Sequence, residues 1–247
     1  MGPVDRITAM KRGGLALAKV KQELREYTQP GITFAQIEAH ATKLIAAAGM
    51  KPSFSTVPGY HWTTCVMKND ALCHGIPGKQ IVEDGDIITI DVGLICDGFH
   101  LDTTISFGVG TLPKKLQRFL ETGQRSLNRA IELVRAGQSV YQLSRAMEKT
   151  LLEENLGAVY QLTGHGVGEE LHMEPTIPCV ANPDDKFVKL TAGQTIAVEV
   201  MYTMGDPTVV VADDDWTFCT KDGSLSAMFE ETVLVEPSGF QVLTKVR

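Results

Sequence analysis

Two carboxylates stand where a strand would normally be apolar. Asp91 interrupts IITIDVGLI (87–95) and Glu199 interrupts TIAVEVMY (195–202). A carboxylate in such a setting is desolvated, so it must be protonated, paired or bound to a cation. Three further residues could share one site with them. They are Asp102 in GFHLDTTISF, Glu230 in LSAMFEETVLVE and His165 in TGHGVGEELH. Gly164 and Gly166 flank that histidine and allow the backbone to come close to its ring. Four carboxylates and one neutral imidazole carry about −4, more than a single divalent ion neutralises. Two divalent ions bring the site near zero, and bridging carboxylates would hold them roughly 3.5–4 Å apart. Oxygen-rich ligation with one nitrogen suits Mn, Fe, Co or Zn. The five cysteines (65, 73, 96, 179, 219) are scattered and form no CxxC pair, which argues against a sulfur site and for reduced thiols. His74 in LCHGIPG and His172 in EELHMEP sit beside turn residues near these elements and could act on a substrate. His100 is a weaker candidate, and His40 and His61 have no such company.

The elements that must carry these residues repeat. Val4, Ile7, Met10, Leu17, Val20 and Leu24 are spaced as one helical stripe that ends before Pro30-Gly31. Thr33 with Gln36 three residues on reads as a capping box opening a second helix, with Phe34, Ile37, Ala41, Leu44 and Ile45 on one face and a stop at Gly49. A third helix is expected after Pro113, ending near Gly137. Ser139 would then cap a fourth, which stops at Gly157. Thr33 and Ser139 lie 106 residues apart, while the strands GDIITIDV (85–92) and GQTIAVEV (193–200) align at 108. In both strands a β-branched trio faces one way, and the carboxylate faces the other. The pattern predicts one α+β domain over residues 1–247, duplicated as halves of about 1–108 and 109–247.

Composition narrows the class. The 247 residues carry 23 Lys+Arg against 30 Asp+Glu, a formal charge of −7, with 43% hydrophobic residues. With no basic excess, nucleic-acid and anionic-membrane binding are not expected. No apolar run approaches a membrane span and the N-terminus lacks a signal-peptide core, so a cytoplasmic protein is expected.

These motifs together resemble the methionine aminopeptidases. The matching stretches are CHGIPG (73–78), DGDIITIDVG with DGFHLDTTISF (84–107), TGHGVGEELHMEP (163–175), the strand around Glu199, and Trp216 through LSAMFEETVLV. The resemblance implies the duplicated α+β "pita-bread" fold, with helix-helix-strand halves around an antiparallel sheet. It also implies two divalent ions held by Asp91, Asp102, His165, Glu199 and Glu230, with Asp102 and Glu230 bridging. A water activated there would attack the first peptide bond of a peptide or nascent chain and release its initiator methionine. Glu199 would relay the proton, His172 would stabilise the carbonyl oxygen and His74 would meet the scissile nitrogen. Glu199 follows His172 by only 27 positions, which leaves no room for the insertion of the type II enzymes, so the short bacterial type I form is the one resembled. A monomer is implied, with the ribosome as a partner through its nascent chains.

The resemblance also implies a substrate pocket of Phe54, Tyr60, Cys65, His74, Leu171, His172 and Trp216, and a monovalent-cation site at Asn69 and Ser226. Phe54, Val57, Leu171 and Met173 depart from the residues usual in the family, which alters the pocket's shape. Hydrolases of Xaa-Pro bonds share the fold but usually carry a large preceding domain. A facial-triad oxygenase built on His100 and Asp102 would leave Asp91, Glu199 and Glu230 unused.

Overall fold

The computed structural model describes residues 5–246. Asp5 caps the first helix, α1 (Arg6–Tyr27), by accepting the Thr8 N–H at 3.1 Å. Val4, counted above in its stripe, lies outside the described residues. The second helix, α2 (Phe34–Ala47), opens on the expected capping box, in which Thr33 and Gln36 each bond the other's backbone N–H. It closes at left-handed Gly49 (φ 71°), with Met50 N–H on the Ile45 carbonyl and Gly49 N–H on that of Ala46.

The short strands β1 (Lys51–Pro52), β2 (Thr64–Lys68) and β3 (Ala71–Cys73) lead into a long hairpin, β4 (Ile87–Cys96) and β5 (Phe99–Gly108). Helices α3 (Lys114–Ile131) and α4 (Val140–Leu152) follow. After them come β6 (Gly157–Ala158), β7 (Thr163–Gly166), β8 (Met173–Pro178) and β9 (Thr195–Thr203). The chain ends with β10 (Val209–Val211), β11 (Phe218–Thr220), β12 (Ser226–Glu236) and β13 (Gly239–Val242).

Three boundaries in the second half differ from expectation. Helix α3 stops at Ile131 because the next residues tighten: Leu133 N–H reaches Ala130 and Val134 N–H reaches Ile131, three residues back. Ser139 occupies the cap position of α4, yet its side chain makes no capping bond. The left-handed residue after α4 is Asn155 (φ 56°), with Leu156 N–H on Leu151 and Asn155 N–H on Leu152. This is the closure of Gly49 repeated 106 residues later, and Gly157 instead begins β6.

The sheet runs β1-β4-β5-β12-β9-β7-β8, antiparallel at every pairing, with β2 on β4, β13 on β12 and β6 on β9. A small sheet, β10-β11-β3, stands apart. The two halves are pseudo-symmetric down to single hydrogen bonds. Gly31 N–H donates to Val82 and Val82 N–H to Ile32; Gly137 N–H donates to Leu190 and Leu190 N–H to Gln138. The helix side of each offset is 106 residues and the strand side 108, as the sequence pattern indicated.

All four helices cover one face of the sheet. Ile88, Ile90 and Val92 pack with Leu17, Leu24, Phe34 and Ile37 under α1 and α2. Ile196, Val198 and Val200 pack with Phe119, Leu127, Val140 and Leu143 under α3 and α4. Strand alternation then turns Asp91 and Glu199 to the opposite face.

Candidate metal centre and its pocket

The sheet register builds the site. Asp91 pairs with Thr104, Thr104 with Glu230, and Glu230 with Glu199, so one cross-strand row over β4, β5, β12 and β9 carries three carboxylates and one hydroxyl. Asp102 sits two residues along β5 from Thr104, on the same face. His165 on β7 pairs with Ala197, two residues before Glu199. All five proposed ligands are buried, none more than 7% exposed.

The carboxylates lack the partners such burial requires. The Thr104 hydroxyl lies 2.8 Å from Asp91 Oδ1 and 2.9 Å from Glu230 Oε2, but has one hydrogen to give. Asp102 Oδ1 is buried without any hydrogen-bond partner. Burial pushes the Asp91 carboxyl up to about 6. Burial, followed by the neighbouring charges, lifts Asp102, Glu199 and Glu230 well above the usual carboxylate range. No lysine or arginine is paired with any of these four among the described residues.

His165 makes the deficit sharper. Its Nδ1 lies 3.0 Å from the Gly166 carbonyl, which can only accept, so Nδ1 carries the hydrogen and Nε2 presents a lone pair. Burial depresses its pKa to about 4, which leaves it neutral. Nε2 faces Asp102 Oδ2 and Glu199 Oε1, each 3.9 Å away, too long for hydrogen bonds. Ligand atoms of Asp102, His165 and Glu230 all lie within 4.8 Å of one another. Five acceptors converging on one volume with a single hydroxyl hydrogen among them fit divalent cations, and the mixed O/N set suits a first-row metal.

A cavity of about 280 Å³ opens over this row. Its walls include every pocket residue expected from the sequence: Phe54, Tyr60, Cys65, His74, Leu171, His172 and Trp216. Tyr60 is held by hydrogen bonds from its hydroxyl to the Thr64 and Gly75 carbonyls and stacks edge-on against Trp216 at 5.1 Å. Phe54 reaches the pocket across Gly93, where a Cβ would lie 2.6 Å from its Cε1. Val57 lines the same wall, whereas Met173 lies outside this cavity, on the rim groove beside His172 and Glu174.

Besides His165, two histidines line the cavity, His74 and His172. His74 adopts φ 55°, a left-handed conformation that costs a non-glycine residue energy and often marks functional positions. Its ring packs edge-on against Phe218 at 5.5 Å. His172, exposed at the mouth, meets the His165 ring edge-on at 4.6 Å. Burial lowers the pKa of both His74 and His172, so each is a neutral donor at physiological pH. His100, half-buried behind the mouth, bonds Ser53 Oγ at 2.7 Å and does not line the cavity. His40 stacks on Tyr27, away from the site.

Cys73, Met201 and Met228 also line the cavity and were not among the expected pocket residues, while Thr104 joins the carboxylate row through its hydroxyl. Period-two spacing was the available signal, since Met201 follows Glu199 by two residues and Met228 precedes Glu230 by two. Asn69 and Ser226 are brought together outside the pocket. The Asn69 carbonyl accepts both the N–H and the hydroxyl of Ser226, and the Asn69 side chain is engaged by Asp86 and Ile87.

A family model described as metallopeptidase family M24 matches residues 8–237. The chain belongs to metallopeptidase family M24. That membership makes it a metal-dependent hydrolase, in accord with the acceptor cluster. Its curated relatives include "Methionine aminopeptidase 1" of Bacillus subtilis, 34% identical over 96% of this chain and 95% of the relative. Among solved structures, a methionine aminopeptidase from Thermotoga maritima superposes with a TM-score of 0.94 at 33% identity, over 98% of this chain and 97% of the other. The prolidase of Pyrococcus furiosus shares the fold at a TM-score of 0.77 and 22% identity, and this chain spans only 64% of it. The M24 pita-bread fold is thus present in full, with the expected pseudo-symmetric halves. Among the described residues no helix is long and apolar enough to cross a membrane.

Proposed function

We propose that this M24 chain removes an N-terminal methionine from peptides and nascent proteins, using two divalent ions. One observation carries the reading: five buried acceptor side chains converge, with the single Thr104 hydroxyl as side-chain donor to them, at the floor of an apolar cavity lined by aromatic rings and sulfur. Asp91, Asp102, His165, Glu199 and Glu230 are the residues that would hold the ions, with Asp102 and Glu230 on the two central strands of the site, β5 and β12. Bound divalent ions supply the positive charge that acidifies a water and polarises the scissile carbonyl.

The chain's own groups do the rest. Glu199, with its carboxyl raised by burial, accepts the attacking water's proton and passes it to the departing amine nitrogen. His172 donates a hydrogen bond to the carbonyl oxygen as negative charge develops there. His74, which lines the cavity on a left-handed backbone, contacts the scissile nitrogen. The carboxylate row receives the substrate's free α-ammonium, which restricts cleavage to the first residue. Cys65, Cys73, Met201 and Met228 beside Tyr60 and Trp216 form a polarizable wall suited to a thioether side chain.

We further infer a cytoplasmic setting and nascent-chain substrates. All five cysteines are free and four are buried, which suits a reducing compartment. The substrate reading is tested with Met-Ala-Ser, Leu-Ala-Ser and N-acetyl-Met-Ala-Ser in the presence of Mn. Release from the first alone supports it, whereas cleavage of the acetylated peptide contradicts the role given to the free amine.

A further inference from the structure

Behind the carboxylate row lies a second polar cluster that the proposed chemistry does not use. Glu231, adjacent to Glu230, points to the helix side of β12, where Lys21 of α1 meets it at 2.8 Å. Both side chains are almost fully buried. Replacing a buried ion pair by apolar residues of similar size is often neutral or stabilising, so stability alone does not explain this one.

The hydrogen bonds run from this pair to the backbone of both central acidic residues, Glu230 and Asp102. Lys21 Nζ also donates to Thr103 Oγ1 at 2.8 Å, and Thr103 Oγ1 donates to the backbone carbonyl of Glu230 at 2.8 Å. On the other branch, Thr244 Oγ1 donates to Glu231 Oε2 at 2.5 Å and accepts the Thr232 N–H at 2.9 Å. Thr232 Oγ1 then donates to the Asp102 carbonyl at 2.7 Å and accepts the Asp102 N–H at 3.1 Å. The β5–β12 backbone register pairs Glu230 with Thr104 and Glu231 with Thr103. One residue further on, the Thr232 side chain grips Asp102 by both backbone groups.

We propose that Lys21, Glu231, Thr103, Thr232 and Thr244 form one clamp that fixes the spacing of Asp102 and Glu230, and so sets the affinity for the second divalent ion. These are positioning residues. The inference rests on the metal-centre reading above. Side chains that orient metal ligands from behind typically contribute 10–100-fold to affinity.

The test is titration calorimetry of Mn into the metal-free protein, alongside thermal melts. Lys21→Met/Glu231→Met keeps the buried volume without stranding a charge. Thr232→Val removes only the grip on Asp102, and decides the matter should the double variant not fold. Each is expected to weaken the second Mn equivalent by about 10–100-fold, with metal-free melting little changed. Mn isotherms that superimpose on wild type overturn the clamp, including where melting falls, because the cluster is then structural only. A wild-type protein that takes up no Mn removes the metal-centre reading itself, and the clamp with it.

Discussion

Asp91→Asn should make the metal-free protein more stable at neutral pH, although it removes a ligand. Asp91 is 7% exposed, and burial raises its carboxyl from 3.8 to about 6. The folded state therefore binds this proton more tightly than the unfolded chain. Its favourable contribution is present below pH 4 and is lost as pH rises through 6, leaving an ionised, desolvated carboxylate above pH 7. A shift of about two units corresponds to roughly 3 kcal/mol at 1.36 kcal/mol per unit. For a chain of this size that is on the order of 6–12 °C in melting temperature. Asparagine keeps the acceptor for the Thr104 hydroxyl, so the hydrogen bond at 2.8 Å survives and mainly the charge is removed. The assay is circular-dichroism melting in chelator at pH 7.5 and pH 4.5. The variant should melt higher at pH 7.5 and close to wild type at pH 4.5, and saturating Mn should reverse the order at pH 7.5. A metal-free variant melting at or below wild type at pH 7.5 would refute the desolvation argument.

Other substitutions separate the roles within the site. Asp102→Ala and Glu230→Ala should each lose bound metal and activity together; retention of two ions by metal analysis in either contradicts its role as a metal ligand. His172→Ala should keep its metal while kcat falls by about 10²–10³-fold, the usual effect of removing one oxyanion donor. An unchanged kcat in steady-state assay means that His172 has been given the wrong task. Gly93→Ala would place a methyl 2.6 Å from Phe54 Cε1 and 2.9 Å from Ser53 Cβ. It should cost about 1–3 kcal/mol in denaturant unfolding and raise KM more than it lowers kcat. Normal KM with normal stability would show that the Phe54 wall is more yielding than its packing implies.

Much of this was legible because strand periodicity and burial conflict at particular residues. Asp91 and Glu199 sit in runs whose other members must be buried, and only a shared site resolves both. The duplication was readable from the matched spacings of Thr33 with Ser139 and Asp91 with Glu199, although only Thr33 makes the capping bond. The pattern fails at Gly157, where it predicts the helix stop: Asn155 tolerates the left-handed turn and holds the position equivalent to Gly49. Cys73, Met201 and Met228 were missed because a sulfur side chain in a strand reads as ordinary core. Met201 and Met228 reach the cavity by period-two spacing from Glu199 and Glu230, whereas Cys73 reaches it by the approach of β3, which no local pattern encodes. The Lys21–Glu231 pair was equally hidden, because its partners are 210 residues apart in sequence.

The most direct measurement is to titrate Mn into metal-free protein while following free methionine released from Met-Ala-Ser. No release without metal, and release that grows as the second equivalent binds, is the expected result. Release that persists in chelator, or two ions bound with no methionine freed, would contradict metal-dependent methionine removal at this site.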